Sequence, residues 1–317
     1  MKAVFLDFKT MGPGLDLTGL RAIVDELEVY DGTSDAELAG RIRDADIVYT
    51  NKMQLTAALL RDAPRLRFIG LTATGSDNVD LDCARQHGIV VANIRNYCTA
   101  SVVEHVFGAL LMLTHSLPQY RASVNAGDWQ TSSMPFLLDH PIRELRAMTL
   151  GIIGYGALGQ GVAAVGRAFG MQVLVAARPG STTVPEGRCG FAEVIARADA
   201  ISLHCPLTEA TRNLLSAEQF AQMKKGAILV NTARGGLVHS GALVDALESG
   251  QLAGAAVDVL PHEPPVDGDP LLDYTGSNLI VTPHIAWASD EARQNAIDEL
   301  AANTRAFLAG ESRNHVT

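Results

Sequence analysis

Short runs rich in valine and isoleucine recur along almost the whole chain, and segments with helical spacing separate them. Before residue 95 the runs read as strands at Ala3–Leu6, Leu27–Tyr30, Asp46–Thr50, Arg67–Leu71 and Ile89–Ala92. After residue 148 they read as strands at Thr149–Ile153, Gln172–Ala176, Ala200–Leu203, Ala227–Asn231, Gly254–Asp258 and Leu279–Thr282. Helical patterns such as Ala36–Arg43 and Ala57–Asp62 lie between them. Alternation of this kind calls for parallel sheets with helices on both faces. The punctuation agrees. Ser216-Ala-Glu-Gln219 is a capping box, and Ser240 is placed to cap Ala242–Glu248, which Gly250 stops.

The 317 residues suffice for two domains at roughly 150 residues each. The six strands after residue 148 complete one doubly wound sheet. A long helix, Thr99–Leu117, precedes that sheet and another, Ser289–Leu308, follows it. A chain that leaves one domain, builds a second and returns would cross on two such helices. The expected organisation is therefore residues 1–98 plus 288–317 as one domain and 99–287 as the other. In fold class this is α/β, two doubly wound parallel-sheet domains, with a Rossmann dinucleotide-binding domain inserted into a flavodoxin-like domain. Residues 127–147 read as a loop whose Trp129, Met134 and Phe136 make a subunit contact or cover their own domain.

A net charge of -10 argues against nucleic acid as a partner, since phosphate backbones need a basic surface. Cys83, Cys98, Cys189 and Cys205 show no C-x-x-C spacing and read as reduced thiols. Asp7 interrupts the apolar start of the chain, which reads as a strand rather than a signal segment. The most apolar stretch, Ser101–Leu113, carries Glu104 and His105 and is shorter than the roughly 18 residues of a membrane span. The expectation is a cytoplasmic protein without a membrane partner.

Gly154-Tyr-Gly156-Ala-Leu-Gly159 follows the strand Thr149–Ile153 and opens a helix with Leu158, Val162, Val165 and Phe169 on one face. In that context a G-x-G-x-x-G is a dinucleotide fingerprint. Gly154 permits the tight turn, Gly156 lets the backbone approach a pyrophosphate, and Gly159 lets helix and strand pack closely. The helix start then offers its amides to phosphate. NAD sites place an acid about 20 residues further on to hold the ribose 2′-hydroxyl. Here Ala177-Arg178 stands there, with Ser181, Thr182 and Thr183 behind it. Loss of the acid and gain of an arginine suit a 2′-phosphate, which points to NADP(H) as the preferred cofactor with NAD(H) as the alternative. The competing reading makes Arg178 a solvated charge.

Ligands of open parallel sheets bind beyond the carboxyl ends of the strands. Three successive strands are followed there by Arg234, by Glu263 and by His284. These types suit carbonyl reduction. Histidine can give a proton to the oxygen, a carboxylate can hold the ring in its protonated form, and arginine can clamp a substrate carboxylate.

At this point the chain resembles the D-isomer-specific 2-hydroxyacid dehydrogenases. The matching stretches are Thr74-Gly-Ser-Asp-Asn-Val-Asp80, Thr99-Ala-Ser-Val-Val-Glu104, Gly154–Gly159, His204-Cys-Pro-Leu207, Asn231-Thr-Ala-Arg-Gly-Gly236, Asp258-Val-Leu-Pro-His-Glu-Pro264 and Thr282-Pro-His-Ile285. Tyr97–His105 and His284–Ser289 look like the glycerate dehydrogenase/hydroxypyruvate (glyoxylate) reductase branch. The resemblance implies that Arg234 binds the substrate carboxylate and carbonyl, that His284 is the proton donor, and that Glu263 favours its protonated form. It implies that backbone amides of Thr74 and Gly75 hold the substrate carboxylate. Thr99, Ala157, Leu158, Arg178, Cys205, Pro206, Thr211, Ala233 and Asp258 would line the cofactor, with Asp258 near the nicotinamide amide. It further implies a small 2-oxo or 2-hydroxy acid as substrate, and a homodimer.

Other residues have plainer readings. His87, His115, His140 and His315 carry no distinguishing feature, and His105 and His204 read as satisfied core residues. His262 belongs to turn structure and extends to no H-E-x-x-H, so no metal is expected. Glu104 reads as a buried partner at its helix start. Trp287 walls the substrate pocket or packs structure, and Cys98 and Cys205 read as packing. Rival functions are a dinucleotide-sensing binding protein on the same scaffold, the same reduction of a bulkier 2-oxo acid, and formate oxidation, against which Glu263 argues.

Overall fold

Among the described residues, all eleven strands of this computed structural model pair in parallel, in two separate sheets. The structure describes residues 1–181 and 183–317, so Thr182 lies outside the described residues. The chain divides into two compact units, Met1–Cys98 with Ala288–Thr317, and Thr99–Trp287.

The first unit holds β1 (Lys2–Phe5), β2 (Glu26–Val29), β3 (Ile47–Thr50), β4 (Phe68–Leu71) and β5 (Val90–Ala92), in the order β2-β1-β3-β4-β5. Parallel strands covered on both faces need continuous apolar runs, and β3 and β4 are buried at every position. One face packs on Leu38, Ile42 and Leu60 from the helices that follow β2 and β3. Over the other lies the helix Asp290–Leu308. Gly70 lets it approach, because a Cβ there would stand 2.5 Å from Leu300 Cδ1. Phe68 stacks on Phe307 with centroids 4.7 Å apart, and the Tyr49 hydroxyl meets Thr304 Oγ1 at 3.1 Å.

The second unit holds β6 (Thr149–Ile153), β7 (Gln172–Val175), β8 (Ala200–Leu203), β9 (Ala227–Asn231), β10 (Leu252–Val257) and β11 (Leu279–Val281), in the order β11-β10-β9-β8-β6-β7. The direction of winding reverses between β6 and β8, which makes the carboxyl edge there a topological switch point. The core is a continuous apolar cluster that includes Ile201, Leu203, Phe220, Leu229, Leu243 and Leu247.

Three local expectations are corrected. The helix from Thr99 ends at Thr114 rather than Leu117. Ser116 turns left-handed at φ 50°, and a separate helix, Leu117–Ala126, starts with Pro118 in its first turn. Proline has no N–H and its ring would clash with the carbonyl four residues back, at Thr114, so the first helix ends there and Pro118 falls in the first turn of a new one. Residues 127–147 are not entirely loop, since they contain the short helix Asp128–Thr131 and a 3-10 turn at Leu145–Ala147. Finally, Ser240 does not cap the helix that ends at Glu248. That helix begins at Ser240 itself, His239 Nδ1 accepts from the Ala242 amide at 3.1 Å, and the Ser240 hydroxyl donates to Asp269 at 2.9 Å. Among the described residues no single helix is long and apolar enough to cross a membrane. Thr99–Thr114 and Leu117–Ala126 reach that composition only as a pair bent by 54°.

Leu229 lies fully buried in the central strand β9. Leu229→Ala is expected to lower the unfolding free energy of the second unit by about 2–5 kcal/mol, from lost burial plus the cavity left behind. Urea unfolding followed by circular dichroism measures this, and a loss under about 1 kcal/mol would mean the site collapses to fill the void.

Candidate active site

The turn between β6 and the helix Ala157–Ala168 is built by its glycines. Gly154 adopts φ +94°, and a Cβ there would fall 2.4 Å from the His204 carbonyl carbon and 2.5 Å from the Cys205 nitrogen. A Cβ on Gly159 would fall 2.1 Å from the Gly154 oxygen and 3.2 Å from Ile152 on the strand. Gly156 differs, since nothing stands within 4 Å of its missing Cβ. The first helical bond runs from the Gln160 amide to the Gly156 carbonyl at 2.9 Å, so the amides of Ala157, Leu158 and Gly159 precede the helical ladder. Open space beside Gly156, faced by such a helix start, fits a diphosphate group.

At the end of β7, Ala176 and Ala177 are buried and Arg178 is exposed, with no acid in between. After β8, Cys205 is half-buried, and burial raises its thiol pKa, which suits packing rather than thiolate chemistry. Thr211 Oγ1 donates to the Pro206 carbonyl at 2.8 Å and closes that loop. Thr99 Oγ1 and Thr232 Oγ1, one at a helix start and one just past β9, are buried without a hydrogen-bond partner.

Beyond β9, the buried Asn231 shapes the next turn. Its Oδ1 accepts from the Ala233 amide at 3.1 Å and its Nδ2 donates to the Arg234 carbonyl at 3.0 Å. Arg234 is exposed, with Nη1 donating to the Ala233 carbonyl at 2.7 Å. Gly235 allows the loop after β10 to pass close by, because a Cβ there would lie 2.0 Å from the Leu260 carbonyl carbon.

The loops after β10 and β11 bring Glu263 and His284 together. Glu263 Oε2 lies 2.6 Å from His284 Nδ1, and Glu263 Oε1 accepts from the Leu260 amide at 2.8 Å. His284 has φ 57°, in the left-handed region that non-glycine residues seldom occupy. The deeply buried Asp258 holds it there. Its Oδ1 accepts from Thr282 Oγ1 at 2.6 Å and the Ile285 amide at 2.9 Å, and its Oδ2 from the Ala286 amide at 2.9 Å. Its own carbonyl accepts from the His284 amide at 2.8 Å. Trp287 Nε1 donates to the His284 carbonyl at 3.0 Å, and Ser101 Oγ donates to the Ala286 carbonyl at 2.7 Å. Sequence reasoning singled out neither Thr282 nor Ser101. Only their neighbours in the turn motifs marked them.

Thr74 and Gly75 lie in the first unit, on the segment after β4. The Thr74 hydroxyl donates to the Ile94 carbonyl at 3.0 Å and its carbonyl accepts from Asn93 Nδ2 at 2.6 Å, which leaves the backbone amides as the donors to consider. Two plain readings need correction. Glu104 is exposed, because it falls on the outer face of its helix rather than at a buried start. His204 is only half satisfied: Nε2 meets Ser202 Oγ at 2.8 Å, but Nδ1 is buried without a partner. His105 Nε2 lies 3.3 Å from Thr282 Oγ1. Among the described residues no three His, Cys, Asp or Glu side chains gather as a metal site.

Comparison with known proteins adds four findings. Residues 107–286 match the family model described as D-isomer specific 2-hydroxyacid dehydrogenase, NAD binding domain. The chain is 43% identical to a glycerate dehydrogenase of Methylorubrum extorquens, over 99% of this chain and 98% of that one. It is 39% identical to a hydroxypyruvate reductase of Blautia hydrogenotrophica, over 100% of this chain and 99% of that one. Among solved structures, an acyclic imino acid reductase in complex with NADPH and D-Arg superposes with a TM-score of 0.86 at 28% identity, covering 100% of both chains.

Burial lowers the His204 pKa to about 4. Between that value and the ordinary one near 6.5, the unfolded chain binds a proton that the folded chain refuses. Stability is therefore full above about pH 6.5 and falls as the pH drops toward 4. From pH 7.5 to 5 the wild type is expected to lose about 2 kcal/mol more than His204→Gln. Parallel urea titrations at the two pH values measure the difference, and identical losses would mean His204 titrates normally.

Proposed function

Since the chain belongs to the D-isomer-specific 2-hydroxyacid dehydrogenase family, we propose that Arg234, Glu263 and His284 carry out its reaction on hydroxypyruvate or glyoxylate. The protein is an NAD(P)-dependent oxidoreductase of the CH–OH group, and it reduces small 2-oxo acids to D-2-hydroxy acids and catalyses the reverse. The observation that carries the assignment of roles is the 2.6 Å contact between Glu263 and His284 Nδ1, at the carboxyl edge that also bears the glycine turn.

A bound nicotinamide dinucleotide supplies or accepts the hydride. Reduction places negative charge on the former carbonyl oxygen, and a proton must follow it. Glu263 occupies the Nδ1 side of the ring, so Nε2 is the nitrogen that donates to that oxygen and takes the proton back in oxidation. Arg234 lends its remaining guanidinium N–H groups to the substrate carboxylate and polarises the carbonyl. Backbone amides of Thr74 and Gly75, in the first unit, are donors suited to a carboxylate. Gly154, Gly156, Ala157, Leu158 and Gly159 hold the diphosphate, and Thr99, Cys205, Pro206, Thr211, Ala233 and Asp258 line the remainder of the cofactor. With Arg178 where an acid would select the 2′-hydroxyl, NADP(H) is preferred and NAD(H) is accommodated. The protein works in the cytoplasm as a homodimer whose contact includes the exposed Trp129, Met134 and Phe136.

Absorbance at the reduced-nicotinamide band tests the reading directly. Glyoxylate or hydroxypyruvate should drive fast NADPH oxidation and slower NADH oxidation, whereas cofactor binding without turnover on either acid would move the substrate to a bulkier 2-oxo acid. His284→Gln should lower kcat by about 10²–10⁴ with the cofactor Kd unchanged, and normal turnover would remove His284 from its role. Arg178→Ala should raise the KM for NADPH about tenfold while leaving that for NADH nearly unchanged, as loss of a charge-assisted phosphate contact predicts. Equal effects would make Arg178 a solvated charge.

A further inference from the structure

The described chain returns to the outer edge of β7 for a single residue pair. Ala176 and Cys189 form an isolated parallel bridge, in which the Cys189 amide donates to the Val175 carbonyl at 2.9 Å and the Ala177 amide to the Cys189 carbonyl at 2.8 Å. That bridge sets the preceding residue, Arg188, against the carboxyl end of β7. Arg188 Nη1 donates to the Ala176 carbonyl at 3.2 Å, and its guanidinium carbon lies 5.2 Å from the centroid of the Tyr155 ring. Tyr155 is the residue between Gly154 and Gly156. One arginine therefore reaches from the strand end to the glycine turn.

Among the described residues no carboxylate forms an ion pair with Arg188 or with Arg178. A guanidinium has five N–H donors, and Arg188 spends one of them on Ala176. Its position is fixed by a hydrogen bond and an aromatic face, so less side-chain entropy remains to be lost when an anion arrives. Arg178, by contrast, is exposed and makes no side-chain hydrogen bond among the described residues. In dinucleotide-binding sheets the adenosine ribose is read at the end of this second strand. An anchored cation there faces no acid on the strand end.

We propose that Arg188 is a specificity-determining residue: its anchored guanidinium binds the phosphate on the 2′ position of the adenosine ribose, together with Arg178. The proposal rests on the NADP(H) reading above. The phosphate is held by charge-assisted hydrogen bonds, and no covalent step is involved.

The test is equilibrium binding of two fragments to the intact protein by titration calorimetry, adenosine 2′,5′-bisphosphate and adenosine 5′-monophosphate. Wild type should bind the bisphosphate at least tenfold tighter. Arg188→Ala should erase most of that preference while leaving the monophosphate within about threefold, and Arg188→Lys should restore only part of it, since the charge returns without the fork. Three results would overturn the proposal. A preference that survives in Arg188→Ala but disappears in Arg178→Ala would assign the phosphate to Arg178 alone. Equal weakening of both fragments would make Arg188 a support for Tyr155 and the glycine turn. A wild type with no preference for the bisphosphate would defeat the NADP(H) reading itself, which the first two results leave standing.

Discussion

The buried carboxylate of Asp258 is the fixed point of the candidate site. Holding His284 in a left-handed backbone conformation costs on the order of 1–2 kcal/mol. Asp258 accepts three hydrogen bonds from the segment Thr282–Ala286, and bonds to a charged group contribute about 1.5–3 kcal/mol each. Those three bonds tie both sides of His284 to one buried group. The turn fixes where the imidazole leaves the backbone, and the 2.6 Å contact with Glu263 holds the ring from its Nδ1 side. Asp258 thus influences the histidine through the backbone, without touching the ring. Trp287 and Ser101 reinforce the same turn from its carbonyl side.

The net charge of -10 sets a second constraint. At a distance such a protein repels both an anionic 2-oxo acid and a dinucleotide. Salt screens that repulsion beyond about 8–10 Å, so recognition has to come from cations placed locally. Arg234, Arg178 and Arg188 all stand past the carboxyl ends of strands of the second sheet, where the helix start at Gly156 adds its own positive end. Arginine suits these places because its planar fork matches carboxylate and phosphate oxygens in pairs.

Much of this was legible in the sequence. The strands stood out because those buried on both faces are continuous apolar runs, and Leu252–Val257 starts two residues earlier and ends one residue earlier than expected. Gly154, Gly156 and Glu263 were readable because a turn or a strand end fixes where their neighbours must go. What escaped notice depended on contacts between segments distant in sequence. Arg188 lies in an irregular stretch with no period to mark it, and its partners are a carbonyl twelve residues away and a ring in another loop. The unpaired Nδ1 of His204 is a property of its surroundings rather than of its motif. The break at Ser116 was announced by Pro118, but the apolar pattern ran on past it. Glu104 was misplaced because helical phase decides exposure, and motif position does not report phase.

The return of the chain to its first unit has a consequence for synthesis on the ribosome. Phe68, Gly70 and Tyr49 present a bare apolar face until the helix Asp290–Leu308 covers it. Nearly two hundred residues of the second unit emerge in between, at about 5–20 residues per second. The first unit to begin is therefore the last to finish. For some ten seconds or more at those rates, its sheet must avoid other sticky surfaces without its cover. Exposed apolar surface of that kind is what makes incomplete folds prone to aggregate, and the helix that ends the wait is the element that completes the first unit.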